Sequence, residues 1–292
     1  VTLQGDIGPE VDLFVSSTFP EREGVMAALV SLSASHVILL ILGGLGAGVF
    51  NGVAGGGSLI SFPLLLALGF PALTANVTNT VGIWPGYLGG AAGFRREISD
   101  QRTQLVRLSP IAMLGGVTGA VLLLTTSSAL FTSLAPWLVL GASVLFAIQP
   151  WLRRALNSAK TDDDTAANAD LSAQRRHSVL LVGGTFAASV YGGYFGAGLG
   201  VMLLAILGLA LPDSIARTSG MRTVLSILVN GVAASVFLIH GGLAWQAVGF
   251  LAIGSVVGGW VGARLALAIS PTALRVAVVL IGLGTTVKLL AS

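Results

Sequence analysis

The residues best suited to chemistry cluster in FNGVAGGGSLISFPLLLALGF, from Phe50 to Phe70. It sets Asn51, Gly55, Gly56, Gly57 and Ser58 between two apolar runs. Three consecutive glycines carry the largest entropic cost of helix formation, so a helix is expected to break there. Within hydrocarbon such a break is tolerated only where it is buried in protein or lines a polar cavity. The freed amides and the positive end of the following half-helix suit an anion, at about 0.3–2 kcal/mol per terminus. A second cluster holds Gly196 and Gly198. Asn51, Ser58, Thr78, Asn79 and Thr80 offer neutral donors beside the first cluster, and Tyr191, Tyr194, Thr218 and Ser219 beside the second. For any one of these the bland reading is helix packing, with small residues at close approaches and hydroxyls bonded to their own backbone. Two matched clusters favour a site.

Arg217 and Arg222 are the charged candidates. Counted from Pro212 at ~1.5 Å per residue, they lie roughly 7 and 15 Å along a helix. Arg217 can snorkel to an interface, whereas Arg222 falls near mid-membrane. A charge that deep faces the protein interior or a cavity. It either caps the carbonyls of a broken helix or grips an oxyanion with its planar fork. The apolar segments contain no Asp or Glu, and the only one after Asp170 is Asp213, in a turn. A relay of buried carboxylates is therefore excluded, and His36 and His240 remain as titrating groups. A lone His36 in an apolar segment reads first as a packing residue, and His240 sits at a segment end. Exchange, uniport and coupling through the substrate's own protonation stay open.

The elements that position these residues follow from composition. The chain of 292 residues is 54% hydrophobic and 9% charged, against roughly 25% charged for a soluble domain. It reads as an all-α polytopic membrane protein, multi-pass in the cell membrane. It has no cysteine, which removes disulfides, thiolate metal sites and a Cys nucleophile. With no HExxH and no acid in the spans, an intramembrane enzyme is not expected, nor is a cofactor or metal. Net charge is only +3, and the bases sit in short loops, a pattern of membrane orientation rather than nucleic-acid binding.

A polar, acidic segment covers 1–24, a first repeat 25–152, a linker 153–177 and a second repeat 178–292. Ten apolar segments are expected, and those following the glycine clusters are only 12 or 13 residues long. These two are read either as spans or as half-helices of re-entrant hairpins. Bases in 95–107, in 153–177 and at Arg264 and Arg275 place those loops in the cytoplasm, with the N-terminus outside. Trp137, Trp151 and Trp245 mark segment ends. At an offset of 141, Gly43, Gly52, Gly55, Gly57 and Pro71 meet Gly184, Gly193, Gly196, Gly198 and Pro212. Five segments per half is an odd count, so the second copy enters from the opposite side, giving an inverted repeat with a site near the midplane.

GVAGGGSLISFPLLL with PALTANVTNT, and GGYFGAGLGVMLL with LPDSIARTSGMRT, resemble the TauE/SafE family of anion permeases. GGLAWQAVGFLAIGSVVGGWVGARLA is similar to that family's second-half pattern, and the resemblance covers about 36–290. It implies a secondary permease for sulfite, an organosulfonate or a related small anion. The glycine clusters carry over, but Leu204 stands in the second copy where the first has Pro63. The alternative is a non-transporting scaffold or assembly factor, which gains nothing from broken spans. The expected partners are a small anion and the bilayer, with oligomeric state open.

Overall fold

The computed structural model describes residues 33–53, 55–92, 94–163, 171–211, 214–265 and 271–291. Among them the ordered elements are all helices: α1 (Ala34–Val53), α2 (Ser58–Ala67), α3 (Ala72–Ala92), α4 (Arg95–Ser99), α5 (Arg102–Thr125), α6 (Ser128–Asp163), α7 (Leu171–Tyr194), α8 (Leu199–Ala210), α9 (Ile215–His240), α10 (Trp245–Leu265) and α11 (Pro271–Ala291). The acidic segment 1–24, the heart of the linker at 164–170, and Pro212 with Asp213 lie outside the described residues.

Five helices are long and apolar enough to cross a membrane, within α1, α5, α6, α9 and α10. The 10 residues of α2 and 12 of α8 extend about 15 and 18 Å, short of a hydrocarbon core of ~30 Å. The 21-residue α3 has the length but turns Thr74, Asn76, Thr78, Asn79 and Thr80 into the protein interior. Val106, Leu114, Trp137, Trp151, Trp245 and Leu280 stand exposed, the inverse of a water-soluble surface. Trp245 opens α10, where an interfacial belt places it, whereas Trp137 and Trp151, expected at segment ends, lie inside α6 because that helix outruns its apolar segment at both ends.

Close approach between helices rests on glycine. A Cβ at Gly258 would overlap the Leu45 carbonyl, and one at Gly262 would fall 2.7 Å from the Val49 Cα, so α10 lies backbone to backbone with α1. On the other flank, a Cβ at Gly115 would meet the Phe186 carbonyl at 2.8 Å and one at Gly119 would overlap that of Val190, so α5 lies against α7 in the same way. Phe186 and Val190 follow Leu45 and Val49 by 141 residues. Between these pairs α3 and α9 cross, where the Trp84 indole donates to the Ile227 carbonyl at 3.0 Å. On a separate seam α6 packs on α11, with Gly282 against Ser143.

Several helices outrun their apolar segments. α5 begins at Arg102 rather than Leu108, and α6 begins at Ser128 rather than Leu134. α6 also continues past Leu152 to Asp163, and α7 starts at Leu171, so the linker expected to be a solvated connection is helical at both ends. The reason lies in Arg153–Lys160, which has no Gly or Pro and is rich in Arg, Ala, Leu and Lys. Hydropathy marks where helices meet lipid, not where they stop.

Candidate functional site

The first break is a turn built by glycine and tied by asparagine. Gly55 takes φ +80°, in the left-handed region, and its amide donates back to the Phe50 carbonyl at 3.0 Å. Two residues on, the Gly57 amide donates to Asn51 Oδ1 at 2.7 Å, so α1 caps the start of α2. Ser61 Oγ lies within hydrogen-bond reach of the Gly57 carbonyl, at 3.2 Å, and of Asn79 Oδ1 on α3. Three helices therefore converge on Gly57. Both asparagines spend their oxygens on this network and turn their nitrogens elsewhere: Asn79 Nδ2 meets no partner among the described residues, and Asn51 Nδ2 has only the Tyr87 hydroxyl beside it. Asn51 is 2% exposed and Asn79 fully buried. A buried donor left unpaired costs about 1–3 kcal/mol, which makes this turn the candidate site.

The second break repeats the turn. Gly196 takes φ +80° and donates to the Tyr191 carbonyl at 3.4 Å, while Gly198, at φ +85°, opens α8. Asn76, one helical turn from Asn79, donates its Nδ2 to the Tyr194 carbonyl at 2.9 Å, so α3 holds both breaks. The breaks also touch. A Cβ on Gly200 would lie 2.6 Å from the Gly55 carbonyl, and one on Gly196 would lie 3.8 Å from Ser58 Oγ. Each turn thus abuts the start of the other's short helix.

Arg222 completes the cluster. Its side chain is among the largest fully buried ones, and its Nη1 lies 2.7 Å from where a Gly55 Cβ would stand. Tyr87, also buried, sits beside both Arg222 and Asn51. The buried polar side chains of the described residues are amides, hydroxyls and Arg222, with no carboxylate. Such a cluster offers hydrogen-bond donors and positive potential together.

Other candidates stand apart. Arg217 is half exposed, 3.8 Å from Asp100. Thr78 Oγ1 accepts from the Ala244 amide at 3.0 Å, and Thr80 and Thr218 bond the carbonyls of Asn76 and Ser214 in their own helices, as the bland reading has it. Tyr194 directs its hydroxyl to Thr126 at 3.4 Å. Ser219 is buried in α9 and accepts at its carbonyl from Thr223. Gly56 lies under the Phe146 ring of α6, which pairs with Phe50 at 5.6 Å. Ser61, Asn76 and Tyr87 join the cluster without having been singled out from sequence. Asn76 and Asn79, three apart in a segment lacking acids, were the available signal. A cavity of about 250 Å³ between α3 and α9, lined by Val81, Trp84, Ile227, Gly231 and Leu238, contains none of the candidates.

Apolar helices around two glycine-built breaks, taken with the comparisons that follow, make this a membrane transporter. The chain belongs to the sulfite exporter TauE/SafE family, matching it over residues 40–289. It is 29% identical over 258 residues to a probable membrane transporter protein of Haemophilus influenzae, covering 86% of this chain and 93% of the relative. It is 24% identical over 252 residues to the probable membrane transporter protein YfcA of Escherichia coli, covering 84% and 86%. A probable membrane transporter protein, ORF9, of a Sinorhizobium species is 23% identical over 248 residues, covering 84% and 88%. No solved structure matches the chain.

Proposed function

We propose that the protein is a secondary permease for a small oxyanion, sulfite or an organosulfonate, bound between the two helix breaks near the bilayer midplane. The observation that carries this is the donor set: Asn79 Nδ2 unpaired, Asn51 Nδ2 beside the Tyr87 hydroxyl, Arg222 against Gly55, and no buried carboxylate among the described residues. The one charged side chain among these buried groups is the Arg222 cation, which favours an anion over a cation, although Asn76 Oδ1 also stands there as an unpaired acceptor. A planar guanidinium and converging amides match the tetrahedral or pyramidal oxygens of a sulfur oxyanion.

An inverted repeat of ten segments accounts for the packing. α1 pairs with α10 as α7 pairs with α5, and α2 meets α11 as α8 meets α6, so each half supplies the partner of its counterpart. Arg222, beside the first break, and Asn230, beside the second, are eight residues or ~12 Å apart on α9. Together they straddle the middle of a helix running from Ile215 to His240, which supports a midplane site. In this reading the N-terminus is outside and 95–107 and 153–177 are cytoplasmic.

The test is flux of radiolabelled sulfite, taurine and sulfate in proteoliposomes, with binding measured per folded molecule. Arg222→Lys keeps the charge but loses the fork, and a lost charge-assisted hydrogen bond of ~1.5–3 kcal/mol weakens binding roughly tenfold or more. Arg217→Lys should change it less than twofold. Unchanged affinity in both Arg222→Lys and Arg222→Gln would move Arg222 from the anion to the broken-helix carbonyls. A wild-type protein that binds and moves none of the three anions would favour the scaffold.

A further inference from the structure

The inward face of α6 runs through Phe131, Ala135, Val139, Ala142, Phe146 and Gln149, in steps of three or four, each at most 1% exposed. It passes the second break where Ala142 lies 3.5 Å from a Cβ built on Gly198. It then passes the first, where the Phe146 ring fills the space beside Gly56. One turn further, ~5 Å toward the linker, this apolar row ends in an amide. Gln149 Nε2 is buried and meets no partner among the described residues. Buried polar groups are almost always hydrogen-bonded, so an unpaired amide one turn beyond the ring that closes on the first break points to an intermittent partner.

We infer that Gln149 and Phe146 form an approach subsite for the transported oxyanion, on the linker side of the first break. This rests on the permease reading above. Gln149 Nε2 donates to an anion arriving from the linker side, and Phe146 separates that position from the turn at Gly56 and from Arg222. A neutral amide suits a station because a pathway needs binding strong enough to draw the ion in and weak enough to release it. A second arginine there would hold the anion instead of passing it on. Phe50, tilted against Phe146 from the last turn of α1, couples the ring to the break itself.

The experiment compares full-length wild type with Gln149→Leu, Gln149→Glu and Gln149→Asn in proteoliposomes, using radiolabelled sulfite. Equilibrium binding and flux are both scaled to folded protein. Gln149→Leu should slow sulfite equilibration about tenfold in both directions while affinity stays within twofold, because the central site is untouched. Gln149→Glu, which presents like charge, should slow it further, and Gln149→Asn should recover part of the rate. Wild-type flux in both Gln149→Leu and Gln149→Glu overturns the subsite and leaves the permease reading standing. Affinity and flux falling together also overturn it, because Gln149 would then belong to the central site or to the fold. A wild-type protein that moves neither sulfite nor taurine overturns both readings.

Discussion

Gly55 and Gly196 share a backbone conformation but not a neighbourhood. Any L residue at φ near +80° costs ~1–2 kcal/mol, so Gly196→Ala, whose added Cβ would lie 3.4 Å from its nearest neighbours, should lose about that much stability. Gly55→Ala carries the same strain and also drives a methyl into the Arg222 guanidinium and the Gly200 Cα. It should lose more stability and weaken sulfite binding severalfold, as read by thermal unfolding in detergent and by binding to the folded fraction. Asn79→Asp replaces the unpaired Nδ2 with a second oxygen and sets a carboxylate beside Ser61, and should abolish measurable sulfite binding. Asp100→Asn, by contrast, removes only an exposed ion pair at 3.8 Å and should change stability by under ~1 kcal/mol. What the sequence told of the cluster followed residue type: two glycine clusters, an asparagine beside the first, an arginine in an apolar run. Ser61, Asn76 and Tyr87 were not legible, because a polar residue on a helix acquires meaning only once its face has a neighbour.

At the scale of elements, both helix breaks and both short helices were legible, since glycine acts through local backbone entropy. Helix ends were not. The run Arg153–Lys160 is polar yet made of good helix formers, so α6 continues through it. The seams are tighter than the composition implied. Gly119 and Gly262 each place a helix backbone directly on another, α5 on α7 and α10 on α1. Gly119→Leu and Gly262→Leu should therefore reduce the yield of folded protein to a similar, severe extent. Gly249→Leu on α10, where nothing lies within 4 Å of an added Cβ, should leave the yield near wild type. Fluorescence-detected size exclusion of detergent extracts reads all three.

For the molecule as a whole, the prediction is one of orientation. A chain without cysteine allows single thiols to be placed at will. Ser158→Cys should resist external impermeant reagents in intact cells and react after lysis, whereas external labelling would invert the assignment. The matched spacing of glycines at an offset of 141 was visible in the sequence, but the pairing of α1 with α10 and of α5 with α7 was not, because periodicity within a sequence says nothing about which distant helix fills a groove. That pairing has a consequence for how the protein is made. α1 ends at Val53 and its backbone partner α10 begins at Trp245, so nearly two hundred residues must be synthesised before this seam can close. At about 5–20 residues per second this is roughly ten to forty seconds in which the glycine stripe of α1 faces lipid or the insertion machinery. The first half is then an open form awaiting its complement. Two halves divided within the linker and expressed separately should each be degraded alone and persist only when made together.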